Sequence, residues 1–261
     1  MLHKTMVESA YYFSSLIDII EKTTELSKIA INIGANDGIE LDMLFPLFID
    51  KKFDGLCIEY DKALFSELCK NIPDKVNKIN EYITPWTILP LINKYINKPI
   101  DAISIDIDSF DYFITQKVLL LKPKILIVEL NENIPPGINF AVLYEPNYNY
   151  LEHKLYGCSL DMIISLGDKF GYKLLKMEWN NAILIRDDLS HLFDLPKSNN
   201  EAYSVGYYFR ENREKVFWWK KEEATLFEKS THEAFEILKK QIYAAYLDKI
   251  ILELNTMKVE K

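Results

Sequence analysis

A chain of 261 residues, 49% hydrophobic and 27% charged, can bury one sizeable core with a small appendage, which excludes a disordered or fibrous polypeptide. A formal charge of -8 excludes a general nucleic-acid binder, because phosphate backbones reward a basic surface. Cys57, Cys69 and Cys158 form no C-x-x-C pair, no apolar signal segment opens the chain, and no uncharged run nears the roughly 18 residues of a membrane span, so neither a disulfide framework nor a zinc site is indicated, export and membrane spanning are not expected, and a reducing cytoplasm fits.

Apolar residues at helical spacing (Tyr11, Phe13, Leu16, Ile19, Ile20) predict a first helix over about Val7 to Ser27. Next, Lys28 to Glu40 reads as strand, small-residue turn and new helix through about Leu47. After the Asp54-Gly55 turn a second buried run ends in Glu59. Asp61 caps the following helix, with Leu64, Phe65 and Leu68 on one face and Pro73 as its stop. A weak strand follows at Val76 to Ile79. Thr84-Pro85 opens a helix bearing Leu89, Leu91, Ile92 and Ile96. Two short branched runs, Asp101 to Asp106 and Lys124 to Glu129, read as central parallel strands with a helix between them. Residues Glu132 to Tyr150 read as a long loop, a candidate substrate lid over the carboxyl ends of the strands. Gly157 to Phe170 predicts a helix ending near Gly171, and Tyr172 to Met177 with Ala182 to Arg186 predict a closing hairpin.

From Asp194 the pattern changes to an aromatic-rich stretch (Tyr203, Tyr207, Tyr208, Phe209, Phe217, Trp218, Trp219) and a charged helix after Glu222. Packing of this stretch on the core is the first reading; a ligand platform and a homodimer interface are the others. The alternation predicts a doubly wound α/β domain over residues 1–193 and a helical C-terminal extension over 194–261.

The turn after the first strand decides the ligand class. Gly34 and Gly38 allow sharp bends and close approach, the helix N–H groups behind them point at a ligand, and Glu59 stands where such sheets place an acid on ribose hydroxyls. The spacing is Gly34-x-x-x-Gly38 rather than G-x-G-x-x-G, and Asn36 and Asp37 lie inside it. An acid there repels a pyrophosphate. S-adenosylmethionine carries a sulfonium and an ammonium but no phosphate, so it fits the turn better than a nicotinamide dinucleotide.

Ile31 to Gly38, Gly55 to Glu59, Thr84-Pro85, Ser104 to Tyr112, Val128 to Asn131, Tyr156 to Leu160 and Asn181 to Asp188, taken in order, resemble the FkbM-type family of S-adenosylmethionine-dependent methyltransferases over about residues 28–190. The resemblance implies a class I methyltransferase-like (Rossmann-like), mostly parallel sheet. It implies S-adenosylmethionine as cofactor, S-adenosylhomocysteine as product, and contacts from Asn32, Gly34, Ala35, Asn36, Asp37, Gly38, Glu59, Tyr60, Glu81, Tyr82 and Asp106. It also implies O-methylation of a small-molecule acceptor, a saccharide or a phosphoryl- or nucleotide-linked precursor of capsule or surface polysaccharide, phosphoramidate-type groups included. Two positions depart from the family pattern: Asn32 replaces the usual acid, and Ser109 the usual Gly. The alternatives are an NAD-dependent oxidoreductase and a non-catalytic glycan-assembly protein of the same fold.

Methyl transfer asks mainly for alignment and for removal of a proton. Asp106 and Asp108 leave the fourth strand on one side of the extended chain and read either as catalytic carboxylates or as caps of the next helix. Glu129 and Asn131 converge on them, so Asp106, Glu129 and Asn131 form a candidate Mg²⁺ or Mn²⁺ set; without a cation, one carboxylate holds a proton. His153 is either a base or a surface histidine, and Lys154 and Arg186 are either anion anchors or exposed ion-pair partners.

Overall fold

A computed structural model describes residues 2–146, 155–216, 223–244 and 250–254. Strands β1 (Ile29–Ile33), β2 (Asp54–Glu59), β3 (Asn77–Asn80), β4 (Ala102–Ile105) and β5 (Ile125–Glu129) run parallel. Strand β6 (Ile138–Val142) stands apart, while β7 (Tyr172–Glu178) and β8 (Asn181–Arg186) form an antiparallel hairpin with β8 against β5. The order β3-β2-β1-β4-β5-β8-β7 makes the doubly wound, mostly parallel sheet that the alternation predicts.

Strand periodicity sorts the core into two layers. Ile31, Ile33, Leu56, Ile58, Ile103, Ile105, Leu126 and Val128 pack on one face against α4 (Ile88–Tyr95), α5 (Asp111–Val118) and α6 (Leu160–Phe170). Ala30, Cys57, Ala102, Ile125 and Ile127 face the opposite layer, formed by α1 (Leu2–Glu21), α2 (Phe45–Ile49) and α3 (Lys62–Asn71). On this second face Ala30 pairs with Ala102 and Asn32 with Ser104, so small and polar side chains leave room at the carboxyl end of the sheet.

Three expectations need correction. The helix predicted from Gly38 to Leu47 is a series of turns, and α2 starts only at Phe45. Asp37 Oδ1 accepts from the N–H groups of Ile39 and Glu40, and Asp42 Oδ1 from that of Leu44, while Asn36 and Leu41 take left-handed φ of 51° and 60°. Side chains thus claim donors that a helix would have used. Likewise Thr84 Oγ1 accepts from Trp86 and Thr87 N–H and closes a separate turn, and α4 begins at Ile88. The predicted 132–150 loop contains β6, whose alternating Ile138, Phe140 and Val142 build a third small core. β6 pairs antiparallel with β9 (Ile250–Leu254), beside α9 (Thr231–Ala244), and residues 147–150 of the lid expected over 132–150 lie outside the described residues.

Beyond residue 193, α7 (Asn199–Tyr203) and the wide turn 204–208 lie on β7, and α8 (Arg213–Val216) follows them. A Cβ on Gly206 would sit 2.1 Å from the Met177 carbonyl oxygen, and Gly206 O accepts from Trp179 N–H. Tyr203 and Tyr207 are buried and Phe209 is exposed; Phe217, Trp218 and Trp219 lie outside the described residues. Among the described residues no helix is long and apolar enough to cross a membrane.

A buried ion pair ties the amino edge of the sheet together. Lys124 Nζ lies 2.6 Å from Asp101 Oδ1, and Asp101 Oδ2 accepts from Ile29 N–H, joining β1 to the segments entering β4 and β5. Lys124→Met leaves a buried carboxylate without its cation and is expected to cost about 3–5 kcal/mol in urea unfolding, most of it recovered in the double change Lys124→Met/Asp101→Asn.

Candidate functional site

A cavity of about 790 Å³ opens at the carboxyl ends of β1, β2, β4 and β5, where the strand order reverses between β1 and β4. Its first wall is the turn after β1. Gly34 has φ +80°, and a Cβ there would lie 1.7 Å from the Asp106 carbonyl oxygen, so only glycine lets this turn sit against the end of β4. Glu59, at the end of β2, accepts from Asn36 N–H (2.8 Å) through Oε2 and from Asp61 N–H (2.7 Å) through Oε1. Burial raises its pKa, and those backbone donors pull it back down. Each oxygen keeps a lone pair for a ligand hydroxyl.

Tyr60, Glu81 and Tyr82 extend this wall, and a row of edge-to-face rings runs from it: Tyr60 to Tyr82 (5.2 Å), Tyr82 to Phe110 (6.4 Å), Phe110 to Tyr144 (4.8 Å) and Tyr144 to Trp86 (4.8 Å). Asn32, Ala35 and Asn36 line the cavity; Asp37 and Gly38 do not. Asp37 holds its own turn, and a Cβ on Gly38 would strike Ile72 and Leu68 at 2.6 and 2.7 Å, so the second glycine serves packing against α3 and the end of that helix.

The second wall is acidic. Carboxylate oxygens of Asp106, Asp108 and Glu129 lie within 4.8 Å of one another, Asp108 in a left-handed conformation of φ +52°. Burial first, then the neighbouring carboxylates, pushes Asp106 and Glu129 well above the usual acid range. The loop is braced by Asp111, which accepts from Ile107 and Ser109 N–H. Asn131 does not join the set: its amide donates to Tyr156 O and accepts from Asn133 N–H, outside the cavity. Asp108 stands in the place the sequence reading gave to Asn131, and these three oxygen donors suit a hard cation or a shared proton. Arg186 pairs with Asp188, away from the cavity, and His153 and Lys154 lie outside the described residues.

Sequence reasoning missed Asp42, Asn180 and Asn181. Asn180 Nδ2 donates to Glu129 Oε1 from the β7–β8 turn, and nothing in a hairpin sequence marks such a residue. Asp42 lines the cavity floor, buried, accepting at Oδ1 from Leu44 N–H and at Oδ2 from Asn32 Nδ2, both at 2.6 Å. It was hidden inside a predicted helix.

Eight carboxylates line the cavity: Glu59, Asp61 and Glu81 on the β2 side, Glu40 and Asp42 in the turn, and Asp106, Asp108 and Glu129 at the mouth. Among the described residues no lysine, arginine or histidine lines it.

No family model matches the chain, and no curated protein sequence matches it. Among solved structures, similarity in fold extends to M. capricolum TrmK in complex with S-adenosyl-homocysteine (9% identity, 89% of this chain and 96% of that chain, TM-score 0.41). It extends also to the mitomycin 7-O-methyltransferase MmcR (12% identity, 70% and 54%, TM-score 0.37) and to a SAM dependent methyltransferase from Aquifex aeolicus (9% identity, 64% and 87%, TM-score 0.34).

Burial pushes Asp42 up to about 7, against an ordinary value of about 3.9. The unfolded chain therefore ionises first, and the stabilisation from the protonated acid is complete below about pH 4 and lost as pH rises through about 7. In thermal or urea unfolding without ligand, the wild type is expected to lose stability relative to Asp42→Asn between about pH 4 and 8, by on the order of 2–4 kcal/mol.

Proposed function

We propose that the protein is an S-adenosylmethionine-dependent O-methyltransferase, with the cofactor along the β1–β2–β4 side of the cavity and the acceptor at Asp106, Asp108 and Glu129. The observation that carries this reading is the lining of eight carboxylates without a basic side chain among the described residues. Such a cavity favours a ligand bearing positive charge and opposes a dinucleotide's pyrophosphate. With no helix N-terminus in the turn after β1, nothing there compensates phosphate charge. The ordered motifs that resemble the FkbM-type family support the same reading.

When bound, the cofactor supplies a methyl group already activated by its sulfonium. Glu59 holds the ribose hydroxyls, and Tyr60 and Tyr82 offer apolar ring surface to the adenine. The acidic wall orients the acceptor hydroxyl and takes its proton, with Asp106 and Glu129, which burial and the neighbouring carboxylates make stronger bases than exposed acids, as the groups that accept it. A phosphorylated or nucleotide-linked acceptor would meet these carboxylates directly, so the acceptor is read as a neutral hydroxyl, such as that of a saccharide, with Phe110, Tyr144 and Trp86 as ring surface beside it. Residues 1–193 are read as the binding domain and 194–261 as an extension packed on it.

Calorimetry is expected to show binding of S-adenosylhomocysteine and none of NAD; the reverse result sinks the proposal. Glu59→Ala is expected to weaken S-adenosylhomocysteine by about 3 kcal/mol or more, through loss of two charge-assisted hydrogen bonds. With the three carboxylates acting on the acceptor hydroxyl directly, methyl transfer is expected to persist in EDTA. Activity abolished by EDTA and restored by Mg²⁺ or Mn²⁺ would instead assign a cation to Asp106, Asp108 and Glu129.

A further inference from the structure

We propose that Asp42 is the counter-ion for the α-ammonium group of the cofactor, which makes the chain selective for the amino-acid end of S-adenosylmethionine as well as for its nucleoside. The inference rests on the methyltransferase reading above.

Asp42 is fully enclosed by protein on one side and faces the cavity on the other. Its bonds from Leu44 N–H and Asn32 Nδ2 fix both oxygens, and neither donor carries a charge. No basic side chain lines the cavity among the described residues, so a cation for this carboxylate comes from the ligand. Position supports this. Asn32 lies across from Cys57 on β2 and Ser104 on β4, one repeat deeper on the same sheet face than Glu59. A ligand whose ribose sits on Glu59 therefore extends its other end over Asn32, Ser104 and Asp42. A charge-assisted hydrogen bond there pairs an ammonium with an acid that burial otherwise disfavours as an anion.

Asp42 also holds the turn that leads into α2, so the test separates binding from that structural role. Asp42→Asn keeps an amide oxygen for Leu44 N–H, removes the charge, and places an NH₂ where Oδ2 accepted from Asn32, whose own amide can flip to present its oxygen. Titration of the full chain is expected to show S-adenosylhomocysteine weakened about 10- to 100-fold in Asp42→Asn. Binding of 5′-methylthioadenosine, which keeps the nucleoside and thioether but lacks the amino acid, is expected to stay within about 2-fold of wild type, because it has no ammonium to pair with Asp42. Moving the acid across the hydrogen bond, in Asn32→Asp/Asp42→Asn, is expected to recover most of the loss. On the wild type alone, an S-adenosylhomocysteine analogue without the α-amino group is expected to bind as weakly as S-adenosylhomocysteine does to Asp42→Asn. Equal weakening of both nucleosides in Asp42→Asn, or an unweakened deamino analogue, overturns the assignment while leaving the methyltransferase reading intact. A wild-type chain that binds neither nucleoside overturns both.

Discussion

The site depends on a charge imbalance that the fold holds open. Carboxylates at or just after the ends of β2, β3, β4 and β5, and in the turn after β1, share a cavity with no basic side chain among the described residues. Burying acids beside one another is unfavourable, and the chain meets that cost partly by raising pKa values and partly through backbone donors. Glu59 takes two amides and Asp111 two more. The strain is tolerable because it stands on a sheet with both faces packed, pinned at its far edge by Lys124 and Asp101. On the proposed reading a cationic ligand would relieve the imbalance and so stabilise the fold by its binding.

Much of the fold was legible because its strands announce themselves. Ile29–Ile33, Asp54–Glu59, Ala102–Ile105 and Ile125–Glu129 are short, branched runs with turn residues at both ends, and a buried parallel strand asks for little else. Asp61 caps α3 by accepting from Ala63 and Leu64 N–H, and Gly171, with φ +79°, ends α6, as the residue types suggest. What was not legible is competition between side chain and backbone. Asp37 and Asp42 look like residues of a helix's first turns, yet their carboxylates capture local N–H groups and prevent the helix. β6 was obscured for another reason: its alternation of Ile138, Phe140 and Val142 is plain, but its partner β9 lies more than a hundred residues away in sequence.

The candidate site divides along the same line. Residues fixed by strand ends, such as Glu59, Asp106 and Glu129, reach the cavity because the end of a strand has one exit direction. Residues fixed by turns were legible only in part: Gly34, Asn36 and Asp108 were named from the sequence and line the cavity, whereas the directions taken by other turn residues were not. Asn131 turns toward Tyr156 and Asn133, Asp108 turns inward through a left-handed backbone, and Asn180 enters from a hairpin.

Gly34 joins the two halves of the site. Its missing side chain lets the turn after β1 touch the Asp106 carbonyl, and Gly34 and Ala35 both donate to Ile58 O. One backbone contact therefore sets the spacing between the Glu59 wall and the acidic mouth. In a displacement reaction the catalytic gain comes from alignment, and an error of about 1 Å costs rate heavily. A Cβ at this position would part β1 from β4, and with them Glu59 from Asp106, Asp108 and Glu129. The selection of glycine here is thus better explained by the distance between two walls than by access of a ligand to the backbone.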